Sequence, residues 1–155
     1  MRYILLDRIT TLEPPTHAAG VKCVSLSDDV LEDHFPGYPV MPGALVVESM
    51  AQLGGVLLET SMRAKGMDNL HAALVLIERA KFRHPVRPGD RMELKARVVS
   101  VSEDGGQIDG QVVVEGRTVA EMTLGFAFGR VMHPDQQHRR TEMLNLWLHG
   151  TSHPS

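Results

Sequence analysis

Gly43-Ala44-Leu45-Val46-Val47-Glu48-Ser49-Met50-Ala51-Gln52-Leu53-Gly54-Gly55-Val56-Leu57-Leu58 is the stretch from which the fold can be read. Its sixteen residues carry three polar side chains, Glu48, Ser49 and Gln52, so it reads as a helix buried nearly all round. Pro42 suits the first turn, where a missing N–H is no loss. Downstream, residues 70–82, 91–102 and 107–131 alternate or carry apolar β-branched runs, separated by Pro85-Val86-Arg87-Pro88-Gly89-Asp90 and by Glu103-Asp104-Gly105-Gly106. These are three or four long strands. One apolar helix ahead of a run of strands, with no βαβ alternation, predicts an α+β fold whose antiparallel sheet wraps that helix.

Upstream, residues 2–10 and 17–27 read as strands, broken apart by Glu13-Pro14-Pro15; a hairpin and a wider pairing both fit. Cys23 alternates with Val21 and Ser25 on one face of the second strand, which predicts a packing role and no chemistry. Residues 33–43 hold three prolines and two glycines in eleven positions, a stiff, shaped loop rather than helix or central strand. The predicted domain covers residues 1–137. A tail over 138–155 turns apolar at Met143, Leu144, Leu146, Trp147 and Leu148, which suits a short terminal helix.

The 155 residues carry 16 Lys plus Arg against 19 Asp plus Glu, a net charge of −3. This balance lacks the basic stripe that a phosphate backbone requires, and aromatic residues for base stacking make up 5%, so nucleic acid is not an expected partner. No run approaches the ~18 apolar residues of a membrane span. One cysteine supplies neither a disulfide nor a zinc site, and the expected compartment is a reducing cytoplasm.

A carboxyl on an apolar helix needs a partner. Gln52 lies one turn beyond Glu48 on the same face, where its amide can hold the carboxyl. A carboxyl set in an apolar wall keeps its proton more readily, which suits donation to a leaving hydroxyl. His34 lies fourteen residues earlier in the stiff loop, which can deliver an imidazole to the same side. The helix start at Pro42-Gly43-Ala44 offers N–H groups with no intrahelical acceptor, suited to a developing oxyanion. Base, acid and oxyanion hole together suit proton removal beside a carbonyl with loss of a β-hydroxyl. On spacing alone, a plain loop histidine and a hydrogen-bonded core carboxyl remain the competing account.

The run Asp33-His34-Phe35-Pro36-Gly37-Tyr38-Pro39-Val40-Met41-Pro42-Gly43-Ala44-Leu45-Val46-Val47-Glu48-Ser49-Met50-Ala51-Gln52 resembles the HFPGxPVMPGxLxxExxAQ signature of FabZ-type β-hydroxyacyl-acyl-carrier-protein dehydratases. Residues 77–90, from Ile77-Glu78-Arg79-Ala80-Lys81-Phe82 to Pro88-Gly89-Asp90, resemble the same family's next segment, and the likeness covers roughly residues 20–130. It implies a hotdog fold and a homodimer, with trimers of dimers as a further assembly, whose active sites combine a histidine of one subunit with the acid of the other. Carried over, the catalytic histidine is His34, the acid Glu48, the amide facing the thioester oxygen Gly43, and the carbonyl orienting the imidazole that of Val40. Glu48 and Ala51-Gln52 resemble the dehydratase-only branch rather than the isomerising one, which has Asp and a Trp before the Gln. The family's Pro-His-Arg segment before the first strand is absent, and Ile4-Leu5-Leu6-Asp7-Arg8 begins almost at once.

The implied reaction is reversible dehydration of a (3R)-3-hydroxyacyl thioester on acyl carrier protein to the trans-2-enoyl thioester, in fatty-acid or related lipid or polyketide-like synthesis. It uses no metal and no cofactor beyond the carrier's own arm. Phe35, Tyr38 and Met41, with Met50 and Met62, are candidates for lining an acyl tunnel. Lys81, Arg83 and Arg87, near Arg91, are candidates for docking an acidic carrier protein. The other histidines, His17, His71, His84, His133, His138, His149 and His153, show no ligand spacing. A hotdog thioesterase and a non-catalytic acyl-binding module are the rival functions.

Overall fold

The computed structural model describes residues 2–130 and 133–151. The apolar run becomes helix α1, Gly43–Arg63, five residues longer than its apolar stretch because Glu59 and Arg63 are good helix formers. Ser49 and Ser61 are fully buried on it, and their hydroxyls donate to the carbonyls of Leu45 (3.0 Å) and Leu57 (2.7 Å). Contrary to the expectation from its composition, the helix is not buried all round. Ala44, Glu48, Gln52, Val56, Thr60 and Arg63, three or four residues apart, form one uncovered or half-covered stripe, and this stripe carries every charged side chain of the helix but Glu59, its half-buried neighbour.

Six strands make one antiparallel sheet: β1 (Arg8–Glu13), β2 (His17–Cys23), β3 (Leu70–Phe82), β4 (Arg91–Val101), β5 (Gly105–Val114) and β6 (Arg117–Arg130), in the order β1-β2-β4-β5-β6-β3. Helix α1 touches all six, which is the hotdog arrangement. Met50, Leu53, Leu57 and Leu58 meet Ile9, Met92, Leu94, Ile108 and Leu124, all essentially without exposure. Two glycines set the approach of helix to sheet: a Cβ on Gly54 would stand 2.3 Å from Ile108 Cδ1, and one on Gly110 2.6 Å from Met50 Cγ. The run 107–131 is two strands, since Glu115 (φ 49°) and Gly116 (φ 77°) form the two-residue left-handed turn of a tight hairpin.

The first segment differs from its expected extent. Strand pairing covers Arg8–Glu13 rather than residues 2–10, because Leu5 and Leu6 reach the core from extended chain outside the ladder. The hairpin is the pairing adopted. Cys23 is exposed, not packed: it ends β2 beside Arg91, and its N–H donates to the Asp7 carboxylate at 2.7 Å. The second helix, α2 (Pro134–Leu148), starts four residues before the expected 138, with His133 capping the Asp135 N–H and Pro134 in the first turn. It shares the one core: Leu148 is buried, Trp147 Nε1–H donates to the Leu6 carbonyl at 2.6 Å, and just past its end Thr151 donates to that of Ile9 at 2.6 Å. Residues 152–155, and with them His153, lie outside the described residues.

Candidate active site

The loop before α1 is held by its own backbone. Phe35 and Tyr38 exchange N–H···O bonds (2.9 and 2.8 Å), Val40 N–H donates to the His34 carbonyl (2.8 Å), and Met41 N–H ties the loop to Val86 (2.8 Å). Gly37, at φ 75°, makes the reversal possible. His34 Nδ1 lies 2.7 Å from the Val40 carbonyl. A carbonyl only accepts, so the proton of the neutral ring is on Nδ1 and the Nε2 lone pair is free. The Phe35 ring stacks on the imidazole at 4.2 Å between centroids.

His34, Val40, Met41 and Gly43 share one cavity of about 290 Å³ with Phe82, Arg83 and His84. The Gly43 N–H belongs to the first turn of α1, where no intrahelical carbonyl can accept it. The Phe82 ring covers that turn closely, 3.0 Å from where a Gly43 Cβ would stand. The free Nε2 of His34 and the Gly43 N–H therefore border one space.

Glu48 occupies another. It opens into a cavity of about 370 Å³ with Gln52, Gly55, Val56, the start of β3 and the inner face of α2. Gln52 Nε2 donates to Glu48 Oε1 (3.2 Å) and to the Tyr3 carbonyl (3.2 Å), while its Oε1 accepts the Leu5 N–H (2.9 Å). The Tyr3 phenol is pushed above its ordinary pKa by partial desolvation and then by the Glu48 charge. Tyr3 and Leu5 were not legible as site residues, since nothing in the local sequence links them to a glutamine 49 and 47 positions on.

Within one chain the structure thus joins His34, Val40 and Gly43, joins Glu48 and Gln52, and keeps the two groups in separate cavities. Strand β3 runs past both: residues 70–74 wall the Glu48 cavity and Phe82 the His34 cavity. It is also a sheet edge carrying exposed Val75 (65%), Leu76 (55%) and Ile77 (51%). A long apolar edge of this kind is a ready template for another strand.

Of the remaining candidates, Phe35 and Tyr38 are exposed on the loop, and Met41 is buried beneath His34. Met50 and Met62 are core residues. Arg83 grips Glu121 with two nitrogens (3.0 and 2.7 Å), which holds the Glu121 carboxyl below its ordinary range. Arg87 lies over the Tyr38 ring at 4.6 Å and hydrogen-bonds its hydroxyl, and Lys81 is exposed. Among the described residues no three His, Cys, Asp or Glu side chains gather as metal ligands, and no helix is long and apolar enough to cross a membrane.

A family model described as a FabA-like domain matches residues 1–123. A 3-hydroxyacyl-[acyl-carrier-protein] dehydratase FabZ of Campylobacter curvus is 40% identical over 125 residues, 79% of this chain and 84% of its own. The enzyme of the same name from Campylobacter jejuni is 43% identical over 124 residues, with the same coverage. Among solved structures, the dehydratase heterocomplex ApeI:P of Xenorhabdus doucetiae aligns over 82% of this chain and 99% of that one (TM-score 0.59, 20% identity). Thioesterase HI1161 of Haemophilus influenzae aligns over 81% and 80% (TM-score 0.60, 13% identity), a likeness of fold.

Proposed function

Because the chain belongs to the FabA-like family, we propose that it dehydrates (3R)-3-hydroxyacyl-[acyl-carrier-protein] to the trans-2-enoyl thioester in fatty-acid biosynthesis. The observation that carries this is the His34–Val40 contact, which leaves Nε2 as a base at a cavity shared with the Gly43 N–H. In this mechanism His34 Nε2 takes the α-proton, and the electron pair left by the C–H bond passes toward the thioester oxygen at the Gly43 amide. The pair then forms the new double bond as the β-C–O bond breaks. Glu48, held by Gln52, gives its proton to the leaving hydroxyl, which departs as water. The imidazolium proton returns to the Glu48 carboxylate through that water, which resets both groups.

Base and acid of one chain lie in separate cavities, so the working site combines two copies. Antiparallel pairing of two β3 strands about Leu76, the middle of Leu70–Phe82, sets the Leu70 end of one against the Phe82 end of the other. The Glu48 cavity of one copy then meets the His34 cavity of its partner. Phe35, Tyr38 and Met41 border the acyl entrance on the His34 side. Lys81, Arg83 and Arg87 face the acidic carrier protein. The protein acts in the cytoplasm as this homodimer, with a trimer of dimers as its larger assembly.

The test is incubation of purified protein with a short 3-hydroxyacyl thioester on carrier protein, following enoyl absorbance and free thiol together. Enoyl formation lost in His34→Ala supports the dehydratase. Thiol release reassigns the protein as a thioesterase, and silence across chain lengths as an acyl-binding module.

A further inference from the structure

Dehydration uses the mouth of the Glu48 cavity but not its length. The cavity follows the open stripe of α1 past Gly55 and Val56 to Glu59, with β3 on one side and α2 on the other. Its middle is apolar, lined by Val56, Leu74, Phe126, Met143 and Leu144. Gly55 leaves it wide: a Cβ there would meet Ala72 Cβ and Glu59 Oε2 at 3.8 Å and Phe126 Cε2 at 4.0 Å, all ordinary contacts.

The far end is charged, and three elements meet there. Glu59 of α1, with its side chain 12% exposed, pairs with Arg140 of α2 and lies 4.0 Å from His71 Nδ1 of β3, which Arg140 also touches. Burial draws Arg140 far enough from water to lower its pKa below the ordinary guanidinium value. Arg140 and all of α2 lie beyond the residues that the family model matches.

We propose that α2 and the Glu59–Arg140 pair form an end-stop that sets the longest acyl chain accepted, a specificity device added to the shared catalytic core. The inference rests on the dehydratase reading, with the β-carbon at Glu48 and the rest of the chain running along α1. A methylene arriving at the pair must pull the opposite charges apart and leave each without its partner in a water-poor space, which hydrocarbon cannot compensate. The Glu59 carboxylate reaches back beside Gly55, its Oε2 3.8 Å from where a Gly55 Cβ would stand, and Gly55 lies seven residues beyond Glu48, about 10 Å along a helix axis at ~1.5 Å per residue. An extended chain advances about 1.2 Å per bond, as a peptide backbone does, so on the order of eight carbons fit beyond the β-carbon.

The test is a ladder of 3-hydroxyacyl-carrier substrates, from butanoyl to octadecanoyl, assayed for enoyl formation. The enzymes compared are the wild type, Gly55→Leu and the double variant Glu59→Ala/Arg140→Ala. Gly55→Leu fills the cavity just ahead of the pair and lowers kcat/KM for long chains by at least about tenfold relative to butanoyl. The double variant moves the upper limit toward longer chains, with butanoyl turnover as the check that it is folded. Should both variants turn over butanoyl with the wild-type length profile, the end-stop is wrong and the dehydratase reading stands. Should the double variant fail to fold, the Gly55→Leu profile alone decides. Absence of enoyl product from the wild type at every length overturns the dehydratase reading and the end-stop with it.

Discussion

Gln52 donates to the Glu48 carboxyl at 3.2 Å while its own carbonyl oxygen accepts the Leu5 N–H at 2.9 Å, so one side chain ties the acid to the first segment of the chain. Removing it leaves Glu48 free to turn. Gln52→Ala is expected to lower kcat by about ten- to a hundredfold, the scale of an ångström of misplacement, with a smaller change in KM. Gln52→Glu, which keeps length but repels the carboxylate, should not rescue. Steady-state kinetics on one short substrate separate the two parameters.

With His34 as the proposed base, His34→Ala should fold normally and lose about 10²–10⁴ in rate. Glu48→Gln should be similarly inactive. If the site joins two copies, mixing the two inactive proteins after reversible dissociation forms dimers with one intact site, and activity returns. A mixture that stays inactive while exchanging subunits would place both groups in one chain.

The apolar edge at Val75 and Ile77 gives a more direct handle. Val75→Lys/Ile77→Lys should yield a folded monomer by light scattering, because charge on an edge strand blocks pairing. Turnover should fall with the dimer.

Adjacent glycines of α1 should respond with opposite signs. Gly55→Ala meets only ordinary contacts and gains helix propensity, so it should stabilise the fold by about 0.5–1 kcal/mol. Gly54→Ala drives a methyl against Ile108, and an overpacking cost of about 1–3 kcal/mol outweighs the same gain. Urea midpoints of the two variants check this.

The Tyr3 phenol ionises above its ordinary pKa through partial desolvation and the Glu48 charge. Glu48→Gln removes the negative neighbour, so tyrosinate should form at lower pH than in the parent protein. The chain has two tyrosines, and Tyr38→Phe as background makes the ultraviolet titration report Tyr3 alone.

Local pattern made much of this legible. Alternation marked β3 at its observed bounds, and three prolines in eleven residues marked the loop that carries His34. What escaped was fixed at long range. Leu5 and Leu6 look like strand but are buried without a ladder partner, because the core takes their side chains while their backbone bonds the side chains of Gln52 and Trp147. Cys23 sits in an alternating run, yet β2 ends there and its face opens to solvent. Glu48 and Gln52 were legible as a pair one turn apart, whereas their braces, Tyr3 and Leu5, and the α2 wall of the cavity depend on contacts that no local window contains.

The Trp147–Leu6 hydrogen bond spans 141 positions. At ~5–20 residues per second, a ribosome finishes the Trp147 side of that bond on the order of ten seconds after the Leu6 side. Late in that interval the chain holds the loop, α1 and all six strands, but the groove along Glu48 and Glu59 has no outer wall. Every residue of the helix and sheet that line the groove is therefore made before the segment that closes it.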